Sequence, residues 1–143
     1  MKRFLLFVVS CCFFLMACPP LPHHYTYQYK IEYNAIGRSG SEYILLENNA
    51  LKYVQNREDT ISKSLKSRNY KRIYHFLKGI NLDSLETLVA PSKKHEFDGA
   101  LATTLTISDP SKRKYITSTF DDGNPPIEIK GLVNYIKDIA KKK

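Results

Sequence analysis

Tyr25, Tyr27, Tyr29, Ile31 and Tyr33 alternate without a break with Thr26, Gln28, Lys30 and Glu32. Strict period two marks a β-strand with one apolar face, and aromatic and β-branched residues are the ones that strands favour. Such a strand cannot stand alone. Its apolar face has to be buried, so the rest of the chain must supply both neighbouring strands and a covering layer.

The neighbours follow directly. Gly37-Arg38-Ser39-Gly40-Ser41 reads as a loop and Tyr43 to Leu46 as a second strand. Asn48-Asn49 is a tight turn, because asparagine tolerates the positive φ of hairpin turns, and Leu51 to Gln55 returns as a third strand. A polar, Lys/Ser-rich stretch from Asn56 to Arg68 carries no strand pattern. A second hairpin is predicted further on: Leu101, Thr103, Leu105 and Ile107 share one face, Asp109-Pro110-Ser111-Lys112 turns, and Tyr115 to Phe120 returns.

The cover is helical. Tyr70, Ile73, Tyr74, Leu77, with Phe76 and Ile80, fall at helical spacing up to Gly79. Asp83-Ser84-Leu85-Glu86 reads as a capping box that opens a short helix with Leu85, Leu88 and Val89 on its apolar side, and Pro91 stops it. Ile129, Leu132, Val133, Ile136, Ile139 and Ala140 mark an amphipathic C-terminal helix. Strands joined by tight turns pair antiparallel. The expected fold is therefore α+β: a two-layer sandwich with an antiparallel sheet of about five strands and two main helices on one face, spanning residues 25–143 as a single domain.

What precedes residue 25 reads as an address. Lys2 and Arg3 open the chain, and an apolar run extends from Phe4 to Ala17, broken only by Ser10. A bilayer span needs about 20 apolar residues, so this run has the length of a signal-peptide core instead. It ends Leu15-Met16-Ala17-Cys18, which resembles a bacterial lipobox. Ordinary signal-peptidase cleavage after Ala17 fits less well, because Leu15 is bulky at −3. Residues 1–17 are expected to be a lipoprotein signal peptide, Cys18 the acylated (palmitate-bearing) residue, and 18–24 a lipidated tether containing Pro19-Pro20-Leu21-Pro22. Cys11 and Cys12 would leave with the signal peptide, so Cys18 would be the sole cysteine of the mature chain. No internal disulfide is then possible.

The formal net charge is +8, and +6 once Lys2 and Arg3 are removed. Arg57, Lys63, Lys66, Arg68, Lys71, Arg72 and Lys78 face only Glu58 and Asp59 over the same stretch. A nucleic-acid partner is not expected for an envelope protein. Anionic lipid or acidic glycan is the alternative to a merely solvated helix face.

Candidate chemistry is sparse. His23-His24 sits in the tether without a third ligand nearby, and neither a metal nor a cofactor is expected. His95, in Lys93-Lys94-His95-Glu96-Phe97-Asp98, could act as acid or base beside Glu96 or Asp98. Asp121-Asp122-Gly123-Asn124 clusters oxygen ligands but is too short for an EF-hand loop; the alternative is that Asn124 or a nearby aspartate caps the last helix. Gly37–Ser41 is neither G-x-S-x-G nor a P-loop. Ten tyrosines stand against no tryptophan, and the stripe Tyr25, Tyr27, Tyr29 and Tyr33 is either core or an aromatic binding surface for a peptide or sugar.

Asp98-Gly99-Ala100, then Phe120-Asp121-Asp122-Gly123-Asn124-Pro125-Pro126, then Leu132-Val133-Asn134, resemble in their order a set of small, uncharacterised lipoproteins of Bacteroidota, over roughly Tyr27 to the C-terminus. The resemblance implies location and fold but no activity and no catalytic residue. Pro19 and Pro20 are not acidic, which tilts the expected placement towards the periplasmic face of an outer membrane. The expected function is a non-catalytic envelope lipoprotein, bound to the membrane through acylated Cys18 and engaging another envelope component. The alternatives are a small inhibitor or accessory subunit of an envelope enzyme, and a hydrolase using His95 or the Asp121/Asp122 pair.

Overall fold

The computed structural model describes residues 29–58 and 60–142. The apolar run from Phe4 to Ala17, Cys18, His23-His24, Tyr25 and Tyr27 lie outside the described residues. Seven strands form one antiparallel sheet: β1 Lys30–Gly37, β2 Gly40–Glu47, β3 Ala50–Gln55, β4 Ile61–Ser64, β5 Ala102–Ser108, β6 Lys114–Ile116 and β7 Phe120–Asp121. Their order across the sheet is β4-β3-β2-β1-β5-β6, with β7 also pairing with β5. Two α-helices cover it, α1 Ser67–Lys78 and α2 Ile127–Lys141, and short 3₁₀ helices occupy Leu82–Thr87 and Lys94–Phe97. The fold is α+β, and the sheet is open.

The pairing register explains the burial. Ile31 pairs with Leu46 and Ile107, and Tyr33 with Ile44 and Leu105. Leu46 pairs with Leu51, and Ile44 with Tyr53. Paired residues share a face, so these side chains form one apolar layer, and all are buried. Ile73 and Leu77 of α1 and Ile129, Leu132, Val133 and Ile136 of α2 close over that layer. The opposite face carries Lys30, Glu32, Asn34, Tyr43, Lys52, Thr104 and Thr106, all half-buried or exposed. One face in the core and one towards solvent is the usual state of an antiparallel sheet.

Local chemistry sets the turns. Asn48 and Asn49 take φ of 46° and 69°, the two left-handed positions that a two-residue hairpin needs. Arg38 and Ser39 join β1 to β2 as an equally tight hairpin rather than a longer loop. Asn56 and Arg57 repeat the left-handed pair, at 50° and 61°, just before β4.

Several elements differ from the sequence expectation. The stretch from Asn56 to Arg68 contains strand β4, hidden because Ile61 is its only apolar residue and is itself exposed. It is held by pairing with β3, from Ala50↔Ser64 to Tyr53↔Ile61, and Lys63 Nζ reaches the carbonyls of Ala140 at 2.8 Å and Lys142 at 2.6 Å, at the end of α2 where cations are favoured. The predicted return strand Tyr115–Phe120 is split into β6 and β7 around Thr117, whose hydroxyl accepts the Leu105 amide at 3.0 Å in place of a ladder carbonyl. Asp83-Ser84-Leu85-Glu86 is not a capping box. The segment is 3₁₀, the Ser84 hydroxyl donates back to the Asn81 carbonyl at 2.9 Å, and Asp83 pairs with Arg113 at 2.8 Å.

The two helices meet at a glycine. A Cβ on Gly131 of α2 would stand 2.8 Å from Phe76 Cε1 of α1, and the Phe76 ring packs against Tyr135 with centroids 5.8 Å apart. Gly131→Ala gains about 1 kcal/mol of helix propensity but overpacks this contact by about 1–3 kcal/mol. Urea denaturation is expected to show a net loss for Gly131→Ala in the wild-type background and a net gain in a Phe76→Leu background.

Candidate functional site

Asp121 and Asp122 end the sheet side by side, and the alternation of a strand sends them to opposite sides. Phe120 pairs with Thr103 and Asp121 with Ala102, so Phe120 enters the core, Asp121 turns away from it, and Asp122 turns back under α2.

Asp121 is 1 % exposed. Its carboxylate accepts the Ser92 hydroxyl at 2.5 Å, the Lys94 amide at 2.9 Å, the His95 amide at 2.8 Å, and contacts His95 Nδ1 at 2.5 Å. Asn124 Nδ2 donates to Ser92 Oγ at 2.7 Å. The sequence places these donors 26 to 29 residues before the acceptor, which is why no local pattern announced them. Burial pushes the Asp121 carboxyl up. The hydroxyl, the two amides and the imidazole outweigh it and hold the carboxyl well below the usual carboxylate range. Serving the free amides at the start of the Lys94–Phe97 turn, Asp121 does for that turn what a side-chain cap does for a helix.

His95 and Asp121 therefore do converge, as an acid–base pair would require. The third partner is in the wrong place for a nucleophile: Ser92 donates to the aspartate, not to the imidazole, whereas a serine nucleophile gives its proton to the histidine. The arrangement ties the 92–97 segment to the sheet end.

Asp122 belongs to a second cluster. It accepts hydrogen bonds from the Tyr33 hydroxyl and from Lys137 Nζ. Lys137 Nζ also stands 2.8 Å from Glu42 Oε2 and 3.3 Å from the Tyr33 hydroxyl, with the tyrosine ring centroid 5.0 Å away. Lys141 Nζ approaches Glu42 Oε1 at 3.1 Å, close enough for ion pairing although the angle does not make a hydrogen bond. Burial lowers the affinity of Lys137 for its proton, but the bonds to Asp122 and Glu42 outweigh it and hold the ammonium above its ordinary value. Asp122 is held below its ordinary value by Lys137 and Tyr33 against the effect of burial, and Tyr33 is pushed up by burial and by Asp122.

These positions bear on two questions that the sequence left open. Tyr33 is fully buried, so at this residue the tyrosine stripe is core and not a binding surface; its ring faces Phe120 at 6.5 Å and its hydroxyl is spent on Asp122. Tyr29 is half-buried and packs against the core. The last helix has Pro126 at its start and no side-chain cap, so neither Asn124 nor an aspartate caps it. The Asp121 and Asp122 carboxylates diverge, each towards protein donors, and do not form one oxygen cage. His75 is exposed on α1 and, with Phe76 and Glu128, lines a shallow cleft of about 240 Å³ between the helices. Sequence reasoning missed Lys137, Glu42 and Ser92. For Lys137 and Glu42 a signal was present: each interrupts an otherwise apolar face.

No family model matches this chain, and comparison with curated proteins and with solved structures finds no match either.

Two predictions follow from the clusters. Asp121 and Asp122 bind protons less readily folded than unfolded, so the stability they contribute is present above the ordinary carboxylate pKa of about 4 and is lost as the pH falls through their lower folded values. Thermal melts are expected to be level from neutral pH to about 5 and to fall steeply below about 4; Asp121→Asn should lower the melting temperature at neutral pH and flatten that acid fall. Lys137→Met leaves Glu42 and Asp122 without their main cation and is expected to cost about 3 kcal/mol in urea denaturation, of which Glu42→Leu in the same chain should restore more than half.

Proposed function

We propose that this protein is a lipid-anchored module of a bacterial envelope that works by binding rather than by catalysis. The observation that carries the reading is Leu15-Met16-Ala17-Cys18 closing an apolar run too short to span a bilayer. Among the described residues no helix is long and apolar enough to cross a membrane. Cleavage before Cys18 and acylation of its amine and thiol would leave a chain with that single cysteine, attached through its acyl chains at about 0.8 kcal/mol per buried CH₂.

The clusters at the sheet end support binding over hydrolysis. His95, Ser92 and Asp121 are used to fasten one segment, and Tyr33, Asp122, Lys137 and Glu42 to fasten α2. The non-acidic Pro19 and Pro20 that follow Cys18 favour the periplasmic face of an outer membrane as the site of attachment. The engaged partner would meet the open sheet face or the basic face of α1.

Metabolic labelling with radioactive palmitate in a bacterial host tests the anchor. The full-length chain is expected to take up label and to fractionate with membranes. Cys18→Ala is expected to lose the label and to appear in the soluble fraction or remain as an uncleaved precursor. Label retained by Cys18→Ala would overturn the reading.

A further inference from the structure

The chain enters the described fold at Tyr29, and the sheet register shows which end of the domain that is. Lys30 pairs with Ser108, Ile31 with Leu46, Leu46 with Leu51, and Leu51 with Lys63. The entry point, the Asn48–Asn49 turn, the exit of β4 and the β5–β6 turn therefore share one end of the sheet.

Helix α1 runs along that same end. It begins beside the Asn48–Asn49 turn, where the Leu65 amide donates to the Asn49 carbonyl at 3.0 Å. The segment after it arrives at the far edge strand, where Asp83 meets Arg113 at 2.8 Å beside β6. Between these points the chain, with α1 as its first part, crosses from one edge of the sheet to the other. Helix α2 packs on the flank of α1 that carries Asn69, Arg72 and Phe76: Asn69 Oδ1 accepts the Tyr135 hydroxyl at 3.1 Å, and the Arg72 guanidinium lies 5.1 Å from the Tyr135 ring. Lys71, Tyr74 and Lys78, at helical spacing i, i+3 and i+7, fall on the other flank, and all three are exposed. The Lys78 ammonium sits 4.8 Å from the Tyr74 ring centroid.

This surface is cationic without compensation. From Thr60 to Leu82 the chain has no aspartate or glutamate. Among the described residues, none of the ion pairs involves Lys66, Arg68, Lys71, Arg72 or Lys78. A row of lysines around an exposed tyrosine matches the interfacial zone of a bilayer, where head-group charge attracts the cations and the phenol ring lies at the water boundary.

We infer that the Lys71–Tyr74–Lys78 flank of α1 docks on an anionic lipid surface, setting the orientation of the domain on the membrane. The inference rests on the lipid-anchor reading only for its direction: the end at which the chain enters the fold is the end that faces the bilayer. Docking itself uses α1 alone and is open to separate measurement. Every core residue lies between Ile31 and Ala140, so a chain starting at residue 18 and carrying Cys18→Ser keeps the whole core and has no acyl group or apolar leader of its own.

Co-sedimentation of that chain with vesicles decides the matter. It is expected to bind phosphatidylcholine vesicles containing phosphatidylglycerol, to release from them as salt is raised, and to ignore phosphatidylcholine alone. Lys71→Glu/Lys78→Glu should weaken binding at least about tenfold, since each cation at a membrane surface is worth about fivefold. Arg38→Glu/Lys93→Glu, the same change of charge at the opposite end of the domain, should alter it less than about threefold. Lys71→Gln/Lys78→Gln provides a milder pair if circular dichroism shows the glutamate variant unfolded. Absence of binding, equal binding to both kinds of vesicle, or equal losses for the two ends would overturn the inference. A full-length chain that takes up no palmitate label, with vesicle binding intact, would instead sink the anchor and leave the docking face standing.

Discussion

A sheet covered on one face has a single layer in which to earn its stability, and without a disulfide in the described fold nothing else closes the chain. Here that layer is organised around β1, the central strand, whose Ile31 and Tyr33 meet partners on both sides in register and the helices above. Every other element is placed by what it must do for this layer. β2 and β5 extend it sideways, α1 and α2 lie over it, and the short 3₁₀ segment carrying Leu85 seals its margin. A shift of β1 by one residue would exchange the buried set for Lys30, Glu32 and Asn34, and no partial version of the fold would survive that.

The polar clusters at the end of the layer come from the same geometry. Where β7 runs out beside β5, two adjacent aspartates are forced to opposite sides of the sheet. One fastens the loop that returns from the 3₁₀ segments, and the other fastens α2 through Lys137. Buried charges of this kind are costly unless fully partnered. The four donors on Asp121 meet that condition, and Lys137, flanked by Asp122 and Glu42, comes close to it, with Glu42 Oε1 left to the ion pair with Lys141 alone; the histidine and the serine beside Asp121 are there as partners of a buried charge.

The legible part of this fold was the part written in periodic contacts. The alternation from Tyr29 to Tyr33, the Asn48–Asn49 turn and the apolar stripe of α2 each carry their signal within a few residues, and the structure bears them out. β4 could not be read because its strand is held by backbone pairing and by Lys63, with no apolar pattern to show. The role of Tyr33 was undecidable because period two identifies a face without saying whether a helix covers it. The Asp121 and Lys137 clusters depend on side chains far apart in sequence, and only the return path of the chain brings them together. The cations of α1 were visible from the start; their common flank and its place at the entry end of the sheet were not.

The two edges of the sheet are short. β4 has four residues and β6 three, and each exposes a single isoleucine, Ile61 or Ile116, beside serines or a lysine rather than a long apolar ribbon. Unpaired edge groups are templates for strand addition by another molecule, and brevity and charge blunt them. Confinement to a plane raises the local concentration of neighbours and aligns them in a common orientation, the very conditions under which sheets join into continuous ribbons. A protein with these edges can be crowded side by side on a surface and stay a collection of separate molecules.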